Sequence, residues 1–241
     1  MDGVVVVFGG TGGIGAALAR RAAARGAPVL LAGRDAGRLA ALAAELPGAR
    51  TAVFEAGDAA SLKAVAAAAG PRIAGMAWCV GSILLKPLAR TTEQDFLDVF
   101  RLNALGAALA LQACAPGLAA AGGAVVLFSS VAARAGFPNH AAIATAKAAV
   151  EGLALTAAAE LAPAVRVNVV APSLTRTGIA EPLTRNAAMA EAIAKSHPIP
   201  RLGEADDAAA MADFLLSPAA GWITGQVIGV DGGRATLRGK G

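Results

Sequence analysis

Residues 4–15 read Val-Val-Val-Val-Phe-Gly-Gly-Thr-Gly-Gly-Ile-Gly, VVVVFGGTGGIG. The apolar, β-branched run from Val4 to Phe8 fits a strand covered on both faces, as in a parallel sheet between helices. It passes directly into glycines 9, 10, 12, 13 and 15, and an alanine-rich helical pattern follows to about Arg25. Strand, glycine-rich turn and helix start together make an anion cradle. Glycine lets the backbone approach closely, and the free N–H groups of the first helical turn point at a phosphate. Tight turns also need glycine, so the flanking strand and helix give the motif its meaning.

Outward from this stretch, strands and helices alternate. Further strands are expected at Pro28–Ala32, Arg50–Phe54, Ile73–Val80, Ala124–Phe128, Val165–Val170 and Gln226–Val230. Helices are expected at Ala36–Leu46 with Asp35 as cap, Ala59–Ala69, Glu93 to about Cys114, Asn139–Leu161 with Asn139 as cap, and Glu204–Leu216. Leu174 to about Pro200 reads as irregular and then helical, the character of a lid. The alternation predicts an α/β fold: a doubly wound parallel sheet (Rossmann fold) of about seven strands with helices on both faces. No repeat, linker or second core interrupts it, which predicts one dinucleotide-binding domain over 1–241. Ligands of such sheets bind beyond the carboxyl ends of the strands.

Composition narrows the function classes. The chain has 241 residues, 56% hydrophobic and 16% charged, with a formal net charge of +4. That excludes a disordered chain. Arg20, Arg21 and Arg25 are the densest basic group, at the spacing of a solvated helix face, and no basic run with interleaved aromatics suggests nucleic acid. Cys79 and Cys114 lack metal-type spacing, and no basic leader precedes Val4, so a reduced, cytoplasmic protein is expected. Ala104 to Phe128 is apolar enough to mimic a membrane span, but Gln112, Pro116 and Gly122-Gly123 divide it into a buried helix and a strand, with Ala120–Gly123 as a turn.

The second strand ends at Gly33-Arg34-Asp35. An acid there would bind a free ribose 2′-hydroxyl, whereas an arginine pairs with a 2′-phosphate. Arg34 therefore favours NADP(H) over NAD(H), with Asp35 read as a helix cap. Asp58, or Glu55, is placed to meet the adenine, and Asp58 equally caps the following helix.

These residues resemble the short-chain dehydrogenase/reductase family over essentially the whole chain. The resemblance rests on the GxxxGxG pattern of Gly9, Gly13 and Gly15, Asn103 in RLNALG, Ser130 at a strand end, Lys147, Pro172-Ser173 for the family's Pro-Gly, and the ending WITGQVIGVDGG, Trp222 to Gly233. It implies a nicotinamide cofactor held by Gly9, Thr11, Gly12, Gly13, Ile14, Gly15, Arg34, Asp58, Val80, Gly81, Asn103, Lys147, Pro172, Leu174 and Thr175. It also implies a small-molecule substrate, and a homodimer or homotetramer pairing through the helices that carry Asn103 and Lys147. The alanine-rich stretches 104–110 and 141–149 would suit that pairing or packing on the sheet.

The chain departs from the family at three places. Phe8 replaces a threonine, Trp78-Cys79-Val80-Gly81 replaces Asn-Asn-Ala-Gly, and Ile143 occupies the place of the tyrosine that gives a proton to the substrate oxygen. Ser130 lies thirteen residues before Ile143, the family's separation, and the chain contains no tyrosine. By resemblance, Ser130 holds the substrate oxygen, Lys147 the nicotinamide ribose and Asn103 a water. Ile143 cannot donate, accept or ionise.

His140, three residues before Ile143 and seven before Lys147, is the candidate replacement donor; on a helix it would share their face, about 10 Å from Lys147 along the axis. It also reads as a simple helix-start residue. His197 reads as a solvated loop histidine, and Arg176 and Arg201 as residues able to greet an acidic substrate. The expected function is an NADP(H)-dependent oxidoreductase of a small carbonyl, alcohol or imine, with His140 or water as proton donor. The alternatives are a dinucleotide-binding sensor or scaffold without turnover, and a non-redox lyase or isomerase.

Overall fold

A computed structural model describes residues 2–237. In chain order its elements are β1 (Val4–Phe8), α1 (Gly13–Ala24), β2 (Val29–Gly33), α2 (Ala36–Ala44), β3 (Arg50–Val53), α3 (Ala59–Ala69) and β4 (Ile73–Trp78). Next come α4 (Glu93–Phe100), a π-helical turn (Arg101–Leu105), α5 (Gly106–Ala121), β5 (Ala124–Phe128), α6 (Ala141–Leu161) and β6 (Arg166–Pro172). The chain continues through β7 (Thr175–Arg176), α7 (Glu181–Thr184), α8 (Ala187–Lys195), β8 (Gly203–Glu204), α9 (Ala205–Leu216) and β9 (Val227–Val230). Seven strands form one parallel sheet in the order β3-β2-β1-β4-β5-β6-β9, and β7 pairs with β8 separately.

The period-two alternation of β1 explains why its sequence is apolar throughout. Val4, Val6 and Phe8 face one side, where α3, α5 and α6 pack. Val5 and Val7 face the other, against α1, α2 and α9. Both faces exclude water, so no position in the strand tolerates a polar side chain. The unusual Phe8 and Trp78 belong to one aromatic cluster with Phe54. The Phe8 ring lies 5.2 Å from Phe54 and 5.3 Å from Trp78, centroid to centroid. Gly106 makes room for this cluster: a Cβ there would sit 2.7 Å from Trp78 Cζ2.

Several boundaries differ from the sequence expectations for identifiable reasons. The helix through Ala104 does not end at Cys114 but runs to Ala121, across Pro116, and closes on Gly122 in the left-handed region (φ 63°). Pro116 and Gln112 are both exposed, so water reaches the Gln112 carbonyl that proline leaves unpaired. Buried Leu111, Cys114 and Leu118 hold the helix on the sheet. Asn139 is not the cap of α6. It stands at φ 67°, outside the helix, which begins at Ala141. Asp35 and Asp58 do cap α2 and α3, accepting from Arg38 N and Ala60 N.

The basic face of α1 is paired rather than simply solvated. Arg20 binds Glu45 of the α2 end, Arg21 meets Asp206 and Arg25 meets Asp213, both in α9. By length and composition alone, 93–121 and 141–161 would pass for membrane spans, with mean hydropathy of 1.6 and 1.3. They lie against the sheet instead, and their buried sides include Asn103 and Lys147.

Candidate active site

The glycine-rich turn closes by contacts that admit no side chain. Gly9 has φ 75°, and a Cβ on it would lie 2.8 Å from the Cys79 carbonyl; one on Gly15 would lie 2.3 Å from Gly9 O. Gly12 N donates to Gly9 O at 2.9 Å, which leads the chain directly into α1. Thr11 O accepts from Arg38 Nη2 at 2.9 Å. Arg38 of α2, which sequence reasoning passed over, therefore reaches the glycine-rich turn, and both it and Arg34, just past β2, are exposed. Thr177 is a second residue passed over. A Cβ on Gly13 would come 2.7 Å from Thr177 Cγ2, so Thr177 covers the start of α1. Thr175 is turned inward instead, buried and donating to Ser173 O at 2.9 Å.

Beyond the strand ends lies a cavity of about 500 Å³. Its lining brings together Ile14, Val80, Gly81, Ser130, Ile143, Lys147, Pro172, Leu174 and Thr175 from the residues singled out in the sequence, together with His140. Gly9, Thr11, Gly12, Gly13, Gly15, Arg34, Glu55, Asp58 and Asn103 are not part of this lining.

Asn103 sits in the π-helical turn, wholly buried. Such turns re-aim side chains at functional sites. Its Nδ2 donates to Val99 O at 2.9 Å and to Ser82 Oγ at 3.3 Å. Its Oδ1 is buried without a partner. A Cβ on Gly81 would lie 2.9 Å from that oxygen and 3.4 Å from Lys147 Nζ, so Gly81 is the gap between the two groups. An orphan acceptor at this point suits a water or a ligand hydroxyl, since a buried polar atom without a partner costs about 1–3 kcal/mol.

Lys147 Nζ donates to Phe128 O at 2.9 Å. Burial pulls its pKa down to about 8, with the neighbouring Cys79 acting in the opposite sense. Burial likewise pushes the Cys79 thiol up to about 12, against the pull of Lys147. The helix carrying Lys147 is pinned to the β5 end by Ser129, whose Oγ bonds Lys147 O at 3.2 Å and Glu151 Oε1 at 2.8 Å. Ser130, next along, accepts from Ala132 N at 3.2 Å and remains half-buried on the cavity wall.

Ile143 is 6% exposed and packs with Val99, Ala142 and Ala146, against Leu84 and Phe96. His140 is the cap residue just outside α6 (φ −105°, ψ 10°) rather than within the helix, yet it lines the same cavity as Ile143 and Lys147. Its Nδ1 lies 2.7 Å from Pro138 O. A carbonyl only accepts, so Nδ1 carries a hydrogen and Nε2 is the atom left for other partners.

His197 corrects the sequence reading most clearly. It is 4% exposed, not solvated. Its Nδ1–H donates to Ile193 O at 2.8 Å, and Ser173 Oγ–H donates to its Nε2 at 2.8 Å. No local pattern in SHPIP announces this; the partner is Ser173, twenty-four residues earlier. Arg176 and Arg201 are also taken: they pair with Glu204 and Asp207.

Comparison with known proteins agrees with this geometry. The family described as enoyl-(acyl carrier protein) reductase matches residues 9–235. An uncharacterized oxidoreductase of Mycobacterium tuberculosis is 36% identical, with 96% of this chain and 92% of that protein covered. A short-chain type dehydrogenase/reductase of Mycobacterium ulcerans superposes with a TM-score of 0.92 at 34% identity, over 99% and 92% of the two chains. A gluconate 5-dehydrogenase of Burkholderia cenocepacia, solved with NADP and tartrate, gives 0.92 at 28% identity, over 98% and 96%.

Proposed function

The chain belongs to the short-chain dehydrogenase/reductase family of oxidoreductases, and from that premise we propose that residues 1–241 form one NADP(H)-dependent oxidoreductase unit acting on a small carbonyl, alcohol or imine without a tyrosine proton donor. The observation that carries the reading is Lys147 and Ser130 on one cavity at the strand ends, with the orphan oxygen of Asn103 directly behind the cavity-lining Gly81. The residues fit a nicotinamide dinucleotide. Gly12 and Gly13 are exposed at the start of α1, where the pyrophosphate would sit, Gly9 and Gly15 close the turn beneath them, and Thr11, Ile14 and Thr177 are nearby. Arg34 and Arg38 supply cations for a 2′-phosphate, and NADP in the gluconate 5-dehydrogenase relative is consistent with this.

The cofactor, when bound, supplies or takes the hydride. The chain's own residues do the rest. Lys147 donates to the ribose hydroxyls. Ser130 holds the substrate oxygen. Asn103 Oδ1 anchors a water. The proton reaches the oxygen from that water or from Nε2 of His140 in its charged form. Asp58 or Glu55 receives the adenine; Val80, Gly81, Pro172 and Leu174 line the nicotinamide side. An imine suits the site particularly, because an iminium accepts hydride without a proton from tyrosine.

The test is to add NADPH and a panel of carbonyls and imines to purified protein and follow the loss of reduced cofactor. Turnover supports the reading, and turnover undiminished in His140→Ala assigns the proton to water. Tight NADPH binding with no turnover would favour a cofactor-binding sensor or scaffold, the reading that the apolar packing of Ile143 supports. No binding of any nicotinamide cofactor would remove both. Cofactor preference is checked by titrating wild type and Arg34→Ala with NADPH and NADH. A charge-assisted contact is worth about 1.5–3 kcal/mol, so NADPH should weaken by about 10- to 100-fold and NADH should not.

A further inference from the structure

Charge in the cavity is one-sided. Its lining includes Lys147, His140 and Arg234, and no aspartate or glutamate. Lys147 lies against the β5 end, bonded to Phe128 O and close to Asn103. Arg234 follows β9 and enters the cavity wall from the other end of the fold. Its Nη1 donates to Ser196 O at 2.7 Å. Its guanidinium carbon lies 5.3 Å from the centre of the Phe137 ring. Phe137 in turn stacks near His140, 5.4 Å between ring centres.

Among the described residues no carboxylate pairs with Arg234, whereas Arg21, Arg25, Arg134, Arg176 and Arg201 each hold one. Asp231, the nearest acid in sequence, is committed to backbone: its two oxygens accept from Gly233 N and Ala235 N. That arrangement fixes the turn and leaves Arg234 half-buried over the cavity without a counter-charge among the described residues. The lining also includes the apolar side chains of Phe137, Ile179, Leu183, Met189 and Ile193, of which Ile179 and Met189 are exposed. A guanidinium bordering such a lining gains most from a carboxylate, which matches its planar fork.

We propose that Arg234 recognises a carboxylate on the substrate. The substrate class is then a small oxo, hydroxy or imino acid with an apolar body. Its reacting carbon lies toward Ser130 and its carboxylate at Arg234. One fixed charge matches a monoanion; a phosphate would call for a second fixed cation, and Lys147 is already committed. The proposal rests on the oxidoreductase reading only for the word substrate, because carboxylate recognition by Arg234 is measurable without turnover.

Two measurements on wild type, Arg234→Leu and Arg234→Lys test it, after NADPH titration confirms that each variant retains its cofactor site. First, protein saturated with NADP⁺ is titrated calorimetrically with medium-chain carboxylates, their amides and alkyl phosphates. The carboxylate should bind wild type about 10- to 100-fold more tightly than the amide. Arg234→Leu should abolish that difference, and Arg234→Lys should retain part of it. Second, oxo acids and their methyl esters are compared in NADPH oxidation. The acid-to-ester ratio of kcat/KM should fall by a similar factor in Arg234→Leu, through KM. A carboxylate preference unchanged by Arg234→Leu, or a stronger preference for the alkyl phosphate, overturns the proposal. Loss of carboxylate binding in a protein that turns over nothing would refute the oxidoreductase reading and leave the recognition standing. Turnover of neutral carbonyls with no preference for acids would do the reverse.

Discussion

Ile143 lies one helical turn before Lys147 in α6, and its side chain both borders the cavity and packs on Val99 and Ala146. If the surrounding groups are set for carbonyl reduction, Ile143→Tyr places a phenol beside Ser130 and near Lys147. General acid catalysis contributes about 10²–10⁴-fold, so this variant should raise NADPH-dependent carbonyl reduction by at least the lower figure. An unchanged rate would mean that the cavity has been rebuilt for other chemistry. Lys147 yields a separate prediction. An unfolded lysine holds its proton to about pH 10.4, whereas burial brings the folded group down to about 8. Within that window the unfolded chain binds the extra proton, so Lys147's contribution to stability is complete above it and is lost as pH falls through 8. The difference is on the order of 3 kcal/mol. Cys79 and Cys114, both pushed up to about 12 by burial, act in the opposite direction as pH rises. The contribution of Lys147 is therefore read as the wild-type-minus-Lys147→Met difference in urea midpoint from pH 7 to 10. A difference flat with pH would contradict it.

Among the elements, the segment from β6 to β8 is tied together through the buried His197. Ser173, at the end of β6, donates to His197, just past α8, and His197 donates back into the last turn of α8 at Ile193 O. Ser173→Ala leaves Nε2 buried without a donor, which should cost about 1–3 kcal/mol. Urea unfolding should show that loss, limited proteolysis should find residues 174–200 more accessible, and Ser173→Thr should restore both. This tie also marks where reading from sequence ended. The strands of the sheet and the caps Asp35 and Asp58 were legible, because period and capping chemistry act over a few residues. The same is true of the glycine turn, whose Gly12 and Gly15 close on Gly9 within one motif. His197, Arg38 and Thr177 were not legible. Each takes its role from a partner distant in sequence: Ser173, Thr11 and Gly13 respectively. The inward turn of Thr175 has another cause: it depends on backbone angles near an element boundary, which sequence reading places only to within a residue or two.

At the scale of the whole molecule, part of the alanine-rich stretches 104–110 and 141–149 is used within the chain. Ala104, Ala107, Ala110, Ala142 and Ala146 are buried on the sheet or between the helices, whereas Ala148 is exposed. What remains on the outward sides of α4, the π-helical turn and α6 includes larger apolar side chains: Phe100 at 42% exposure, Leu105 at 39% and Leu155 at 63%. Fully burying such a side chain is worth about 1.5–3 kcal/mol, and in a two-fold interface each contributes twice. The homodimer or homotetramer expected from the family is therefore predicted to bury this face. The double variant Phe100→Arg/Leu155→Arg should shift sedimentation to a smaller species with an unchanged circular dichroism spectrum. The same helices carry Asn103 and Lys147, so association would brace the groups around the cavity, and the smaller species should bind NADPH more weakly. If the variant keeps the wild-type mass, this face is not the interface. If it dissociates while holding NADPH as tightly as before, each chain positions Asn103 and Lys147 without help from a partner.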